Sequence, residues 1–246
     1  MIYITGDTHR DFSRFDGIKF NPDDMVIVLG DAGINYYLDD RDICLKRRLG
    51  RYDVKFFLVR GNHEERPAYI DSYEEIDMFG GKVFVEPNFP YLIFAKDGET
   101  YEIDGKKVLV IGGAYSIDKP YRIHFGYGWF HGEQLDCWER NAILNKVRGN
   151  HYDIVLTHTT PRKYEPTEMF IKGLDQGSVD KTMENFLEQV EESITYNKWY
   201  CGHYHTEKEV DKVEFMFEGI KAYKKGEFGL KKDSALTITR KGIIYK

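Results

Sequence analysis

Three short apolar runs, Ile2–Thr5, Met25–Leu29 and 54–59, alternate with longer charged, amphipathic stretches, and a Gly-containing turn follows each run. Runs of strand length rich in β-branched residues predict buried parallel strands. The stretches between them are long enough for crossovers, with helices expected over 11–15, 39–48 and 66–73. This pattern commits the first third of the chain to α/β architecture. From Lys82 the texture changes to strand-like runs at 82–85, 91–95, 100–103 and 107–111, punctuated by Asp97-Gly98 and Asp104-Gly105. Asp-Gly between such runs predicts antiparallel hairpins. A helix is expected over 133–147 with Gly149 as its stop, then a strand at 154–157. The strongest helical pattern spans 178–196, where Val179, Met183, Phe186, Leu187, Val190 and Ile194 share one face. Strands at 198–201, 209–213 and 215–217 complete the reading: one α/β domain over 1–218 with two sheets, followed by a basic C-terminal extension, 219–246.

Composition narrows the function classes. With 246 residues, 41% of them hydrophobic and 31% charged, the chain is a folding, globular one, and no apolar run approaches the length of a spanning helix. The N-terminus carries no basic segment ahead of a long apolar core. The cysteines, Cys44, Cys137 and Cys201, are odd in number and form no CxxC pair. Together these features predict a cytoplasmic protein with reduced thiols. The net charge of −6 disfavours a role coating long nucleic acid, which needs a basic surface. Residues 220–246 are the exception, with eight Lys/Arg against two Asp/Glu. They read as a solvated extension or, alternatively, a partner-docking segment.

The chemistry-bearing residues fall in one place. Asp7 and His9 follow the first strand, Asp31 the second, and Asn62 and His63 the third. His158 follows 154–157, while His203 and His205 follow 198–201, so five of the eight histidines lie just past a strand's C-terminal end. That edge of an open α/β sheet is where ligands bind. Singly, each is an ordinary cap or turn residue. Together, carboxylates and imidazoles without thiolate suit divalent cations such as Mn²⁺, Fe, Zn²⁺, Ni²⁺ or Co²⁺.

Gly6-Asp7-Thr8-His9, Gly30-Asp31, Gly61-Asn62-His63-Glu64, Thr157-His158 and Gly202-His203-Tyr204-His205, in this order, resemble the calcineurin-like metallophosphoesterase superfamily. The resemblance implies a four-layer α/β/β/α sandwich of two mixed β-sheets flanked by helices, and two divalent metal ions, manganese preferred. It assigns Asp7, His9 and His205 to one ion, Asn62, His158 and His203 to the other, and Asp31 to both. The implied reaction is hydrolysis of a phosphate monoester or diester by a metal-bridging hydroxide. His63 becomes the general acid, a role its ordinary pKa suits. Val59-Arg60-Gly61-Asn62 resembles the protein-phosphatase and dinucleoside-polyphosphatase branch, in which the arginine contacts substrate phosphate; a solvent-facing strand-end role is the alternative for Arg60. The chain departs from that branch at Ile34 and Asn35, where an Asp-Arg pair is usual. An ordinary Ser/Thr protein phosphatase is therefore disfavoured.

Residues 112–131 interleave aromatic rings with Lys119 and Arg122. Tyr115, Lys119 and Arg122 are candidate substrate contacts in a lid that stacks a base or aryl group. The same segment also reads as an aromatic loop over a sheet edge or a dimer contact. The expected substrate is a phosphorylated small molecule or nucleotide. A nuclease or cyclic-nucleotide phosphodiesterase is the alternative enzyme, and a non-catalytic scaffold of the same fold the alternative class.

Overall fold

The computed structural model describes residues 1–170, 173, 176–230, 236–239 and 242–244. The three N-terminal runs become β1 (Ile2–Thr5), β2 (Met25–Leu29) and β3 (Lys55–Val59), paired in parallel in that order. α1 (Asp40–Leu49) is the β2–β3 crossover, while the 11–15 and 66–73 segments form single 3₁₀ turns at Ser13–Phe15 and Pro67–Tyr69. β4 (Glu74–Met78), an edge strand that the sequence reading missed, pairs with β5 (Gly81–Val85). Its apolar signal is short, since only Ile76 and Met78 of its five residues pack against the core while Glu74, Glu75 and Asp77 are exposed. β6 (Leu92–Ala95) lies parallel to β3 and antiparallel to β5.

The chain then changes sheet. β7 (Glu99–Ile103) and β8 (Lys106–Ile111) form a hairpin through Asp104-Gly105, both with positive φ as a two-residue primed turn requires. Asp97-Gly98, expected to be a second hairpin, is instead the crossing between sheets. Asp97 Oδ1 accepts the Gly112 N–H (2.6 Å), and Oδ2 pairs with Arg60 (3.1 Å) and Arg66 (3.5 Å). α2 (Lys119–Phe125) follows, and then α3 (Cys137–Val147), which starts later than expected at an Asp136/Glu139 capping box. β9 (His151–Thr157) leads to α4 (Thr182–Ser193), shorter than the 178–196 pattern because Thr195 already belongs to β10 (Thr195–Cys201). β11 (Lys208–Val210) and β12 (Val213–Phe215) close this sheet.

Part of the basic C-terminal segment is sheet, not solvated extension. β13 (Ile220–Tyr223) pairs antiparallel with β1 and buries Ile220, Ala222 and Tyr223. β14 (Leu236–Thr239) and β15 (Gly242–Ile244) continue outward from it. Residues 231–235, 240, 241, 245 and 246 of that segment lie outside the described residues. Among the described residues, the first sheet therefore has nine strands, β15-β14-β13-β1-β2-β3-β6-β5-β4, and the second has six, β11-β12-β10-β9-β8-β7. Both are mixed, each with a parallel centre.

Strand alternation sorts the core into layers. Ile4, Ile27, Leu29, Phe57 and Val59 face Val108, Val110, Ile154, Leu156 and Tyr200 between the sheets. The alternate residues Val26, Val28, Phe56 and Leu58 pack under Leu45 and Leu49 of α1. Leu109, Val155 and Trp199 pack under α3 and α4. This is an α/β/β/α sandwich. Its face-to-face stacking brings the C-terminal ends of β1, β2 and β3 against those of β9 and β10.

Candidate metal centre

Each loop leaving those strand ends is tied to a loop from another strand. The His9 N–H donates to the Asp31 carbonyl (2.8 Å) and the His63 N–H to Asp31 Oδ1 (2.8 Å). Across the sheets, the His203 N–H donates to Asp7 Oδ2 (3.0 Å), and within the second sheet the Gly202 N–H donates to the His158 carbonyl (2.9 Å). His9, Asp31, His203 and His205 all hold positive φ. Non-glycine residues adopt that region at a cost, and such strain concentrates at functional sites. The glycines of the motifs are there for room: a Cβ on Gly61 would overlap Asp31, and one on Gly30 would overlap the His158 ring.

The side chains converge in two groups. In the first, His9 Nε2 lies 2.9 Å from His205 Nε2, which is 3.3 Å from Asp7 Oδ2. These three residues offer ligand atoms close enough to share one ion. Arg14 braces this group: it donates to the Asp7 carbonyl (2.9 Å) and the Phe217 carbonyl (2.5 Å), and Phe217 stacks on His205 (4.5 Å, 16°). In the second group, His158 Nδ1 sits 2.8 Å from the Leu29 carbonyl. A carbonyl only accepts, so a ring hydrogen is on Nδ1, and Nε2 faces Asn62 Oδ1, 2.8 Å away. The Asn62 amide nitrogen is occupied in donating to Ser116 Oγ (2.8 Å). His158 Nε2 and Asn62 Oδ1 are thereby set side by side at the strand ends. His203 packs on His158 with ring centroids 5.0 Å apart. Asp31 lies between the groups, Oδ1 3.6 Å from His158 Nε2 and Oδ2 3.9 Å from His63 Nε2.

Electrostatics favour ligand-ready protonation states. Burial works to raise the Asp31 pKa, yet the imidazoles of His158, His63 and His9 and the His63 N–H hold it below the usual carboxylate range. Burial pushes His203 well below the ordinary imidazole value and lowers His63 too. Behind them Glu64 is enclosed; burial, reinforced by Asp31, pushes its carboxyl up to about 8.

Asp7, His9, Asp31, Asn62, His63, His158, His203 and His205 are thus brought together. Arg60 is not among them. It is 3% exposed, and its guanidinium is spent on Asp97 and on the carbonyls of Gly132 (3.1 Å) and Glu133 (3.0 Å). A guanidinium so enclosed is a brace between loops and has no free face for a phosphate. Tyr115 lines the cavity over the site. Arg122 is held by Asp118 (2.7 Å), Tyr36 (3.1 Å) and the Gly128 carbonyl (3.1 Å). Lys119 Nζ sits over the Trp129 ring (4.1 Å). Ser116, Arg14 and Glu184 contribute without any signal in the sequence, since their roles depend on what the fold sets opposite them.

Two sheets stacked with their parallel strand ends together, gathering imidazole, carboxylate and amide side chains from five loops, define an α/β/β/α sandwich with a candidate metal site at its strand ends. The family model of the calcineurin-like phosphoesterases matches residues 1–207, and the chain belongs to that family. It is accordingly a metal-dependent phosphoesterase in general class, with a candidate divalent-metal site at Asp7, His9 and His205. No curated protein matches the chain in sequence.

Proposed function

We propose that this chain hydrolyses a small phosphate ester, monoester or diester, at a centre holding two divalent cations. Asp7, His9 and His205 hold one; Asn62, His158 and His203 hold the other; Asp31 serves both. The observation that supports this most directly is the pair of closely opposed ligand atoms, His158 Nε2 with Asn62 Oδ1 and His9 Nε2 with His205 Nε2. Bound cations of this kind acidify a water and neutralise charge on the phosphoryl oxygens. The oxygen and nitrogen donors suit manganese first, with iron, zinc, nickel or cobalt as other occupants.

The protein's own part is positioning and proton supply. The Asp31 carboxylate, kept charged by its imidazole neighbours, is anchored by the His63 N–H. His63 reaches the cavity with its side chain 19% exposed. It donates its ring proton to the departing ester oxygen as the P–O bond breaks. Ser116 keeps Asn62 from rotating its carbonyl out of the site. The free thiols of Cys44, Cys137 and Cys201 fit the cytoplasm as the working compartment.

The test is metal analysis of the purified chain, followed by a panel of aryl phosphate, bis-aryl phosphate, dinucleotides, cyclic nucleotides and DNA. Two bound ions and turnover of the small esters are expected. A chain that takes up no manganese, nickel or zinc overturns the proposal. Preference for DNA instead reassigns the substrate to nucleic acid.

A further inference from the structure

A second cavity lies beside α1 and shares no lining residue with the one over the metal centre. It is a groove of about 920 Å³, in the range of pockets that enclose whole small molecules. One wall is α1 with the 3₁₀ turn that continues it, Gly50–Tyr52; the loops carrying Ile70 and Phe89 form the other. The carboxylates of the groove are all engaged within the protein. Asp39 holds the Arg41 guanidinium (2.6 Å), Asp42 holds Arg10 with the Tyr37 and Leu38 N–H groups (2.8 and 2.7 Å), and Glu86 holds Lys46 with the Ser72 hydroxyl (2.6 Å). Lys46 is thereby occupied too. Arg47, Arg51 and the Asn88 amide line the groove with no side-chain partner among the described residues. The two guanidiniums belong to residues four apart on one helical wall, where like charges repel. The open charge of the groove is therefore positive.

We propose that this groove is a binding site for a small organic dianion, a phosphate monoester or a dicarboxylate. Its charged group bridges Arg47 and Arg51, and its apolar body rests on Ile43, Ile70 and Phe89. The fork of N–H donors on a guanidinium matches the paired oxygens of either anion. Such an anion between the two arginines turns their mutual repulsion into a pair of attractions, and the Asn88 amide supplies a further donor. A cation would add to the repulsion, and an uncharged ligand would leave it in place. The site takes no part in phosphoryl transfer, so it stands independently of the phosphoesterase reading.

The experiment is calorimetric titration of the full chain, loaded with manganese, with three probes. These are phenylphosphonate (a stable stand-in for a phosphate monoester), phthalate and inorganic phosphate, each repeated in Arg47→Ala/Arg51→Ala. The readout is the binding lost between parent and variant, which leaves out whatever the metal centre takes up. Both arginines are exposed, so the variant should keep the parent's Tm. At least one organic probe is expected to bind the parent with a Kd below about 1 mM and to lose at least about tenfold in the variant. Loss for phenylphosphonate alone assigns a phosphate ester, and loss for phthalate alone a dicarboxylate. Inorganic phosphate, lacking an apolar body, should bind the groove about tenfold more weakly. Equal binding of both organic probes by parent and variant overturns the site, and inorganic phosphate bound as tightly as they are overturns its organic ligand. A chain without metal or esterase activity fails the phosphoesterase reading but leaves this difference as it is.

Discussion

At Gly61 the backbone passes so close to Asp31 that a single methyl group has nowhere to go. Gly61→Ala must push the loops after β2 and β3 apart, and because Asp31 sits between the two ligand groups, metal binding should suffer before folding does. We expect metal affinity to fall by at least tenfold with the far-ultraviolet circular dichroism retained; an unchanged affinity would show that the loops yield without cost. His63→Asn removes the proton donor but keeps a side chain of similar reach. With a poor leaving group the rate should drop roughly 10²-fold at full metal occupancy, and much less with an activated aryl ester. Equal losses on both esters would assign His63 a role other than proton donation. Residue identities at this scale were legible: the Gly-Asp, Gly-Asn-His and Gly-His-x-His strings place imidazoles, carboxylates and an amide at turns where glycine leaves room. The placement of Arg60 was not legible, because its position next to Gly61-Asn62 does not reveal which way a side chain turns, and Asp97, far away in sequence, pairs with it.

The crossing between sheets is an element-scale device. Asp97, 13% exposed, joins Arg60 and Arg66 to the backbone of Gly112, so one carboxylate links the β3 loop, the β6–β7 crossing and the end of β8. Burial works to raise its pKa, but the two guanidiniums and the Gly112 N–H hold it below the ordinary carboxylate value. Its contribution to stability is therefore complete above the unfolded-state pKa of about 3.9 and is lost as pH falls from there through the lower folded-state value. Asp97→Asn should cost about 3 kcal/mol near neutrality by leaving the enclosed Arg60 without a carboxylate and Arg66 with Glu139 alone. In urea melts the gap to the parent protein should stay level down to about pH 4 and narrow below it; a gap that widens with acid would contradict this account. Elements with clear periodicity, such as β1, β2 and α4, could be read directly. β4 could not, because two half-buried residues, Ile76 and Met78, among three exposed acids make too short a pattern, and Asp97-Gly98 could not, because its turn chemistry is overridden by an ion pair formed 37 residues away in sequence.

For the molecule as a whole, the metal centre lies on the seam where the two sheets meet, with the inter-sheet core directly beneath it. Ligands from β1, β2 and β3 loops and from β9 and β10 loops share the site, so ions should cross-link the sheets. Manganese at a hundredfold excess over its dissociation constant should stabilise the fold by about 2.7 kcal/mol and raise Tm, reversibly with chelator. In His158→Ala that shift should shrink markedly, and a full shift there would mean that the ions bind elsewhere. Leu156→Ala, in the inter-sheet layer, should cost about 2–5 kcal/mol independently of metal. What the sequence by itself determined is the α/β class, the parallel order of β1 to β3 and the clustering of His, Asp and Asn at strand ends, because these depend on local periodicity and on turns a few residues long. Tertiary structure alone decided that Ile220–Tyr223 joins the first sheet, that Arg60 meets Asp97 and the Glu133 carbonyl, and that Glu184 meets the Thr159 hydroxyl. Each of these depends on which distant group arrives opposite a side chain, and no short-range pattern encodes that.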